Sequence, residues 1–246
     1  MTGGGHRIGG AISESLASNG CSVAVHYGSS LAAARGTATR LHEEHGVDAW
    51  TFQADLADPE QIRRLFSEVR ETCGRLDVLV NNAASFDRAP MATIDADRWD
   101  RTQAVNVRAP HLCMREARDL LTASAESGGA ASIVNIADLG GVFAWRGYAH
   151  HAVSKAGLLH LTRCAAIEMA PGIRVNAIVP GAILPPAGVS VESAEWRAVG
   201  TRLPQRRPGE ASDVGEAAVF LASAPYVTGE VLFVDGGEHL YGNNKR

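Results

Sequence analysis

Thr2-Gly3-Gly4-Gly5-His6-Arg7-Ile8-Gly9-Gly10 lies at the start of the chain. Glycines let a backbone turn tightly and approach an anion closely. The helix expected to run from this loop to about residue 18 offers unpaired N–H groups and the positive end of its dipole. Arg7 adds a formal charge beside them. A glycine-rich turn alone is a weak signal, because a flexible tail has the same composition. The strand and helix that follow raise it to a phosphate-holding turn. Such a loop ordinarily follows a central β-strand, yet only Met1 precedes it here. The first strand is therefore expected to be missing or truncated, or the sheet to be completed in another way.

Working outward, strand-like and helix-like segments alternate. Residues 21–27 (CSVAVHY), 48–53, 76–80 (LDVLV), 132–136 (SIVNI), 173–179 (IRVNAIV) and 231–234 read as strands. Residues 31–45, 59–73, 95–121, 151–170 and 211–222 read as helices, the second on the spacing of Ile62, Leu65, Phe66 and Val69. This alternation predicts an α/β fold, a Rossmann-type doubly wound parallel sheet, forming one domain over residues 1–246. The strands are continuous apolar runs, as parallel strands buried on both faces should be. Residues 180–207, rich in proline and glycine, follow the carboxyl end of a strand, where such sheets bind ligands. They are expected to be the mobile part of the chain.

Composition narrows the partners. The 246 residues are 46% hydrophobic and 20% charged, with a formal net charge of −4. No basic footprint for nucleic acid or a membrane surface is present, and no run approaches the ~20 apolar residues of a membrane span. The four cysteines are scattered without metal-ligand spacing, so no metal is expected and a reducing, cytoplasmic setting is. The second strand ends His26-Tyr27-Gly28-Ser29-Ser30. An acidic side chain there would hold the ribose 2′-hydroxyl of NAD. None is present, and the serine hydroxyls suit a 2′-phosphate, which favours NADP(H).

The motifs, in order, resemble the short-chain dehydrogenases/reductases. They are TGGGHRIG, Asp55 in ADLAD, NNA at 81–83, Asn106 in AVNV, SIVNI, the SK pair at Lys155, Pro180-Gly181 and VDGG at 234–237. They span essentially the whole chain. Within that family the chain is most similar to the pteridine reductases, on Arg7 in the loop, HY ending the second strand, NNAASF after the fourth, and Asp138 where most relatives carry a serine. The resemblance implies that Gly3, Arg7, Ile8, Gly9, Tyr27, Ser29, Asp55, Leu56, Asn82, Ala83, Lys155, Pro180 and Gly181 hold the cofactor. It implies that Phe86 stacks on a flat substrate ring, with Trp145 and Tyr148 on the pocket wall. A homotetramer built on the helices at 95–121 and 151–170 is implied too.

One position departs. The family's proton donor is a tyrosine four residues before the lysine, and His151 stands there. Hydride delivered to a C=O or C=N carbon leaves a heteroatom that needs a proton. A tyrosine gives it under the field of a nearby ammonium, which would be that of Lys155. Asn106 would support a proton relay and Asp138 would orient substrate or donor. Three readings follow. His151 serves an NADPH-dependent reductase of a pterin-like, quinone-like or ketone-like small molecule; or it is the acid–base of a non-redox dehydratase, isomerase or cyclase; or the scaffold binds cofactor without turnover.

Overall fold

The structure is a computed structural model that describes residues 1–186 and 188–241. Six strands are seen among the described residues: β1 (Val23–Tyr27), β2 (Ala49–Gln53), β3 (Val78–Asn81), β4 (Ser132–Ile136), β5 (Arg174–Pro180) and β6 (Val231–Val234). The helices are α1 (Arg7–Ser18), α2 (Leu31–His45), α3 (Pro59–Cys73), α4 (Ala96–Gln103), α5 (Ala109–Glu126), α6 (Ala149–Met169), α7 (Ala194–Gly200) and α8 (Ala211–Ser223). Local chemistry sets their ends. Asp58 caps α3 by accepting from the Glu60 N–H at 2.9 Å, Pro59 fills a first-turn position that needs no donor, and Gly74 closes the helix at φ 67°.

All strand pairs are parallel, with order β3-β4-β5-β6 in one ladder and β1-β2 in another. Residues 1–2 lie between the two ladders. The Met1 carbonyl accepts from His26 N at 3.0 Å, and Thr2 N donates to Val80 O at 2.9 Å. The expected gap at the first strand is thus spanned by two residues, enough to carry hydrogen bonds from β1 across to β3.

Helices cover both faces. On one, Ile12 and Leu16 of α1 and Val214 and Leu221 of α8 pack on Val80, Val134 and Ile178. On the other, Leu65 of α3, Leu112 of α5 and Ala165 of α6 pack with Phe52, Ile133 and Val175. Burying each such aliphatic side chain stabilises the fold by ~1.5–3 kcal/mol.

The helix expected at 95–121 is interrupted. Residues Ala104–Arg108 form a π-helical turn, in which Ala109 N donates to Ala104 O. Pro110 explains it: without an N–H it offers no i→i−4 bond to Asn106, and the ladder re-registers by one residue. Asn106 sits inside that turn and is 1% exposed.

Candidate active site

The glycine loop is braced from below. Thr2 Oγ1 accepts from the N–H groups of Asn82 (2.9 Å) and Ala83 (3.1 Å), and Asn82 Nδ2 donates to Thr2 O (3.0 Å) and Gly3 O (3.1 Å). Gly3 takes φ +59°, and a Cβ at Gly9 would fall on the Gly3 carbonyl oxygen. Both positions therefore need glycine. The Asn82 side chain is spent on this brace. His26 completes it: Gly3 N donates to its Nδ1 (3.2 Å), and its Nε2–H donates to Ala54 O (3.0 Å). Burial pushes the His26 imidazole down to about 4, so it stays neutral as these two bonds require.

Above the loop lies a cavity of about 330 Å³ that runs past Tyr27, Ser29, Asp55, Leu56 and Ala83. The α1 N-terminus beside it has no side-chain cap and no acidic residue in its first turn. An anion is the natural partner of such an end. Backbone close to the loop, a free helix end and serine hydroxyls suit a dinucleotide with a 2′-phosphate. His6 lines the same cavity, as does Arg101 of α4. Arg101, which the sequence motifs do not mark, binds Asp55 through two contacts of 3.1 and 3.2 Å. Arg7 faces elsewhere: it has φ 54° and its guanidinium donates to Pro185 O at 3.0 Å, tying the loop to residues 180–186. Ile8 packs into the core below the loop, and Gly181 N donates to Val234 O beyond β5.

The four residues expected to act in chemistry converge. Asp138 follows β4, His151 and Lys155 lie one turn apart on α6, and Asn106 comes from the π-turn. His151 Nε2 is 2.6 Å from Asp138 Oδ2, and Gly140 N donates to Asp138 Oδ1 at 2.8 Å. The other ring nitrogen, Nδ1, lies 3.1 Å from Ser85 O and 3.4 Å from Asn106 Nδ2. An ionised carboxylate only accepts, so Nε2 carries the proton shared with Asp138. Burial pushes the Asp138 carboxyl up, but the His151 hydrogen bond and the Lys155 charge outweigh it and hold the group below its usual range. Lys155 is buried, and burial lowers its ammonium while Asp138 partly opposes the shift. Its Nζ donates to Ile136 O at 2.8 Å.

Ser154, in the SK pair, and Ser85, in NNAASF, also reach the site, although the sequence reading gave neither a role. Asn106 Nδ2 donates to Ser154 Oγ (2.9 Å) and Ser85 O (3.0 Å), and Asn106 Oδ1 accepts from Ser85 N (2.7 Å). The i,i+3 spacing of Ser154 from His151 was the available signal. His150 is buried and donates from Nε2 to Asp87 Oδ1 at 3.2 Å, anchoring the segment that carries Phe86.

Aromatic rings surround His151. Phe86 stacks on Tyr148 with centroids 5.1 Å apart and meets His151 edge-on at 4.7 Å. Trp145 lies parallel to the imidazole at 6.4 Å. The three residues expected to line the substrate pocket thus gather at one place.

With this geometry in place, the comparisons place the chain. The family described as "Enoyl-(Acyl carrier protein) reductase" matches residues 5–239. The chain belongs to the short-chain dehydrogenase/reductase family and is an oxidoreductase of that type. It is 32% identical to the 3-oxoacyl-[acyl-carrier-protein] reductase FabG of Staphylococcus aureus over 243 residues, 98% of this chain and 97% of that protein. Among solved structures it is similar to a blue fluorescent protein from a metagenomic library in complex with NADPH (TM-score 0.85, 35% identity, 96% of this chain and 95% of that one). It is also similar to FolM alternative dihydrofolate reductase 1 from Brucella canis complexed with NADP (TM-score 0.87, 33% identity, 99% and 94%). Dihydrofolate carries a pterin ring, so this neighbour fits the resemblance to the pteridine reductases. No helix among the described residues is long and apolar enough to cross a membrane.

Proposed function

We propose that the protein is an NADPH-dependent reductase acting on a C=O or C=N group of a flat, pterin-like or quinone-like small molecule. The observation that carries this is the 2.6 Å His151–Asp138 contact set among Phe86, Trp145 and Tyr148. NADPH supplies the hydride when bound. Gly3, Gly9 and the α1 N-terminus hold its phosphates; Tyr27, Ser29, Asp55, Leu56 and Ala83 line the adenosine end; Ile8, Asn82, Pro180 and Gly181 shape the backbone around it.

The chain's own residues then divide the work. Phe86 and Trp145 clamp the ring of the substrate. Asp138 touches it, and His151, 1% exposed behind Asp138, keeps that carboxylate in place and hydrogen-bonded. His151 Nε2 shares its proton with Asp138 Oδ2 and so orients that carboxylate. Lys155 supplies positive charge beneath the pair, and Asn106 fixes Ser85 and Ser154 around the imidazole.

Following nicotinamide absorbance with NADPH and a panel of pterins, quinones and cyclic ketones tests this. Consumption dependent on substrate is expected. Tight NADPH binding with no consumption on any member would overturn it in favour of a cofactor-binding protein without turnover. A homotetramer is part of the same proposal, supported by Val153 and Ile167, which α6 leaves exposed. Light scattering on a sizing column tests it, and a monomer would refute it. The four cysteines are unpaired, which supports a cytoplasmic setting.

A further inference from the structure

Of the two paired side chains at this site, the one that stays partly open to solvent is a carboxylate. The Asp138 side chain is 20% exposed, whereas that of His151 is 1%. Lys155, the nearest cation, is 3% exposed and directed at Ile136 O. Trp145 lies parallel to the His151 ring that binds Asp138, with centroids 6.4 Å apart. Each carboxylate oxygen accepts one hydrogen bond, from Gly140 N or from His151, and keeps a further lone pair. Phe86, 58% exposed, and Tyr148 complete the ring wall. A carboxylate beside π-faces attracts a cation twice over, by charge and by the ring quadrupoles.

The second observation concerns the proton. Both nitrogens of His151 face groups of the protein, Ser85 O at 3.1 Å and Asp138 Oδ2 at 2.6 Å. The residue at the donor position therefore leaves no ring N–H free for a substrate. Reduction of a neutral ketone leaves an alkoxide that must be protonated. Reduction of an iminium ion does not. Hydride adds to the carbon of C=N⁺, the C=N π pair becomes the nitrogen lone pair, and NADPH becomes NADP⁺. The product is a neutral amine, and no proton is consumed.

We infer that the substrate is a planar iminium cation, held by the Asp138 carboxylate against the faces of Phe86, Trp145 and Tyr148. This rests on the reductase reading above and names its substrate class. The positive charge does at the substrate what a tyrosine hydroxyl does in relatives, and frees the position now taken by His151.

Two probes of matched shape test it: N-methyl-3,4-dihydroisoquinolinium, a permanent cation, and the neutral ketone α-tetralone. Calorimetry without cofactor should show the cation binding at least ~10-fold tighter, a difference of ~1.4 kcal/mol. With NADPH, kcat/KM for the cation should exceed that for the ketone by ~100-fold or more, the usual contribution of a positioned acid. Its rate should also stay level across neutral pH. Asp138→Asn should raise KM for the cation ~10-fold and remove the preference in binding. Ketone reduction as fast as cation reduction, or equal binding of the two probes by the unaltered protein, would overturn the inference and leave the reductase reading standing. NADPH consumption with neither probe, nor with any pterin or quinone, would overturn both.

Discussion

His151 Nε2 lies 2.6 Å from Asp138 Oδ2, and in this pair the carboxylate is 20% exposed while the imidazole is enclosed at 1%. Replacing His151 with Phe keeps a ring in the enclosure but removes the donor. Asp138 then loses the hydrogen bond that holds its carboxyl low. A cost of ~1–3 kcal/mol in unfolding free energy at neutral pH is expected, the penalty of an unsatisfied polar partner. The sign with pH follows. A carboxyl depressed in the folded state contributes stability that is full above its unfolded value near 4 and is lost as pH falls through the folded value. Denaturant unfolding from neutral to acid pH should show a shallower acid loss in His151→Phe than in the unaltered protein. Identical curves would show that the pair contributes nothing.

At the loop, Gly9→Ala should be among the most damaging single changes. The added methyl meets the Gly3 carbonyl and the Asn82 amide, neither of which can move without breaking the Thr2–Asn82 brace. Overpacking of this kind costs ~1–3 kcal/mol. NADPH affinity, read by cofactor fluorescence, should fall at least ~10-fold because the backbone no longer approaches the pyrophosphate. Gly36→Ala, on an open helix surface with nothing within 4 Å of its Cβ, is the matched control and should leave affinity unchanged.

Arg101→Ala separates stability from binding. Both partners of the Arg101–Asp55 pair are exposed, with side chains at 59% and 42%, so removal should change unfolding by less than ~0.5 kcal/mol. Yet the guanidinium lines the cavity taken up by Tyr27, Ser29 and Leu56. NADPH affinity should fall by roughly 5-fold, with a weaker salt dependence than in the unaltered protein. Unchanged affinity at low salt would remove Arg101 from the cofactor site.

His26 makes a prediction in the opposite direction from an ordinary surface histidine. Burial lowers it from 6.5 to about 4. A depressed value means that its contribution is full above the unfolded value and is lost as pH falls from about 6.5 towards 4. The loss approaches ~3 kcal/mol at 1.36 kcal/mol per pH unit. His26→Phe should lower stability at neutral pH, by deleting the bonds to Gly3 and Ala54, and should flatten the curve between pH 6.5 and about 4. A variant whose pH profile keeps its slope there would assign the loss to other groups.

Much of the architecture was legible because it rests on local chemistry. Apolar runs such as Ser132–Ile136 announced strands buried on both faces, and the spacing of Ile62, Leu65, Phe66 and Val69 announced α3, whose four residues are all buried. The loop from Thr2 to Gly10 was legible for the same reason, since glycine at Gly3 and Gly9 answers a backbone demand. The break in the helix at residues 104–108 was written at Pro110, but its result was not. Only the packed structure shows that the shifted ladder places Asn106 against Ser85 and Ser154.

By itself, then, the sequence determined the parallel sheet and the glycine demand of the first turn, because periodicity and residue type act over a few neighbours, whereas the set Asn106, Asp138, His151 and Lys155 came from the motifs' resemblance to the short-chain dehydrogenases/reductases. The tertiary structure alone decided direction and company. It sent Arg7 to Pro185 instead of along the loop, set Arg101 over Asp55, let residues 1–2 join β1 to β3, and paired Asp138 with His151. Each of these contacts joins segments too far apart in the chain for local preference to govern. What chooses among them is the burial of the sheet faces and the need of every enclosed donor and acceptor for a partner.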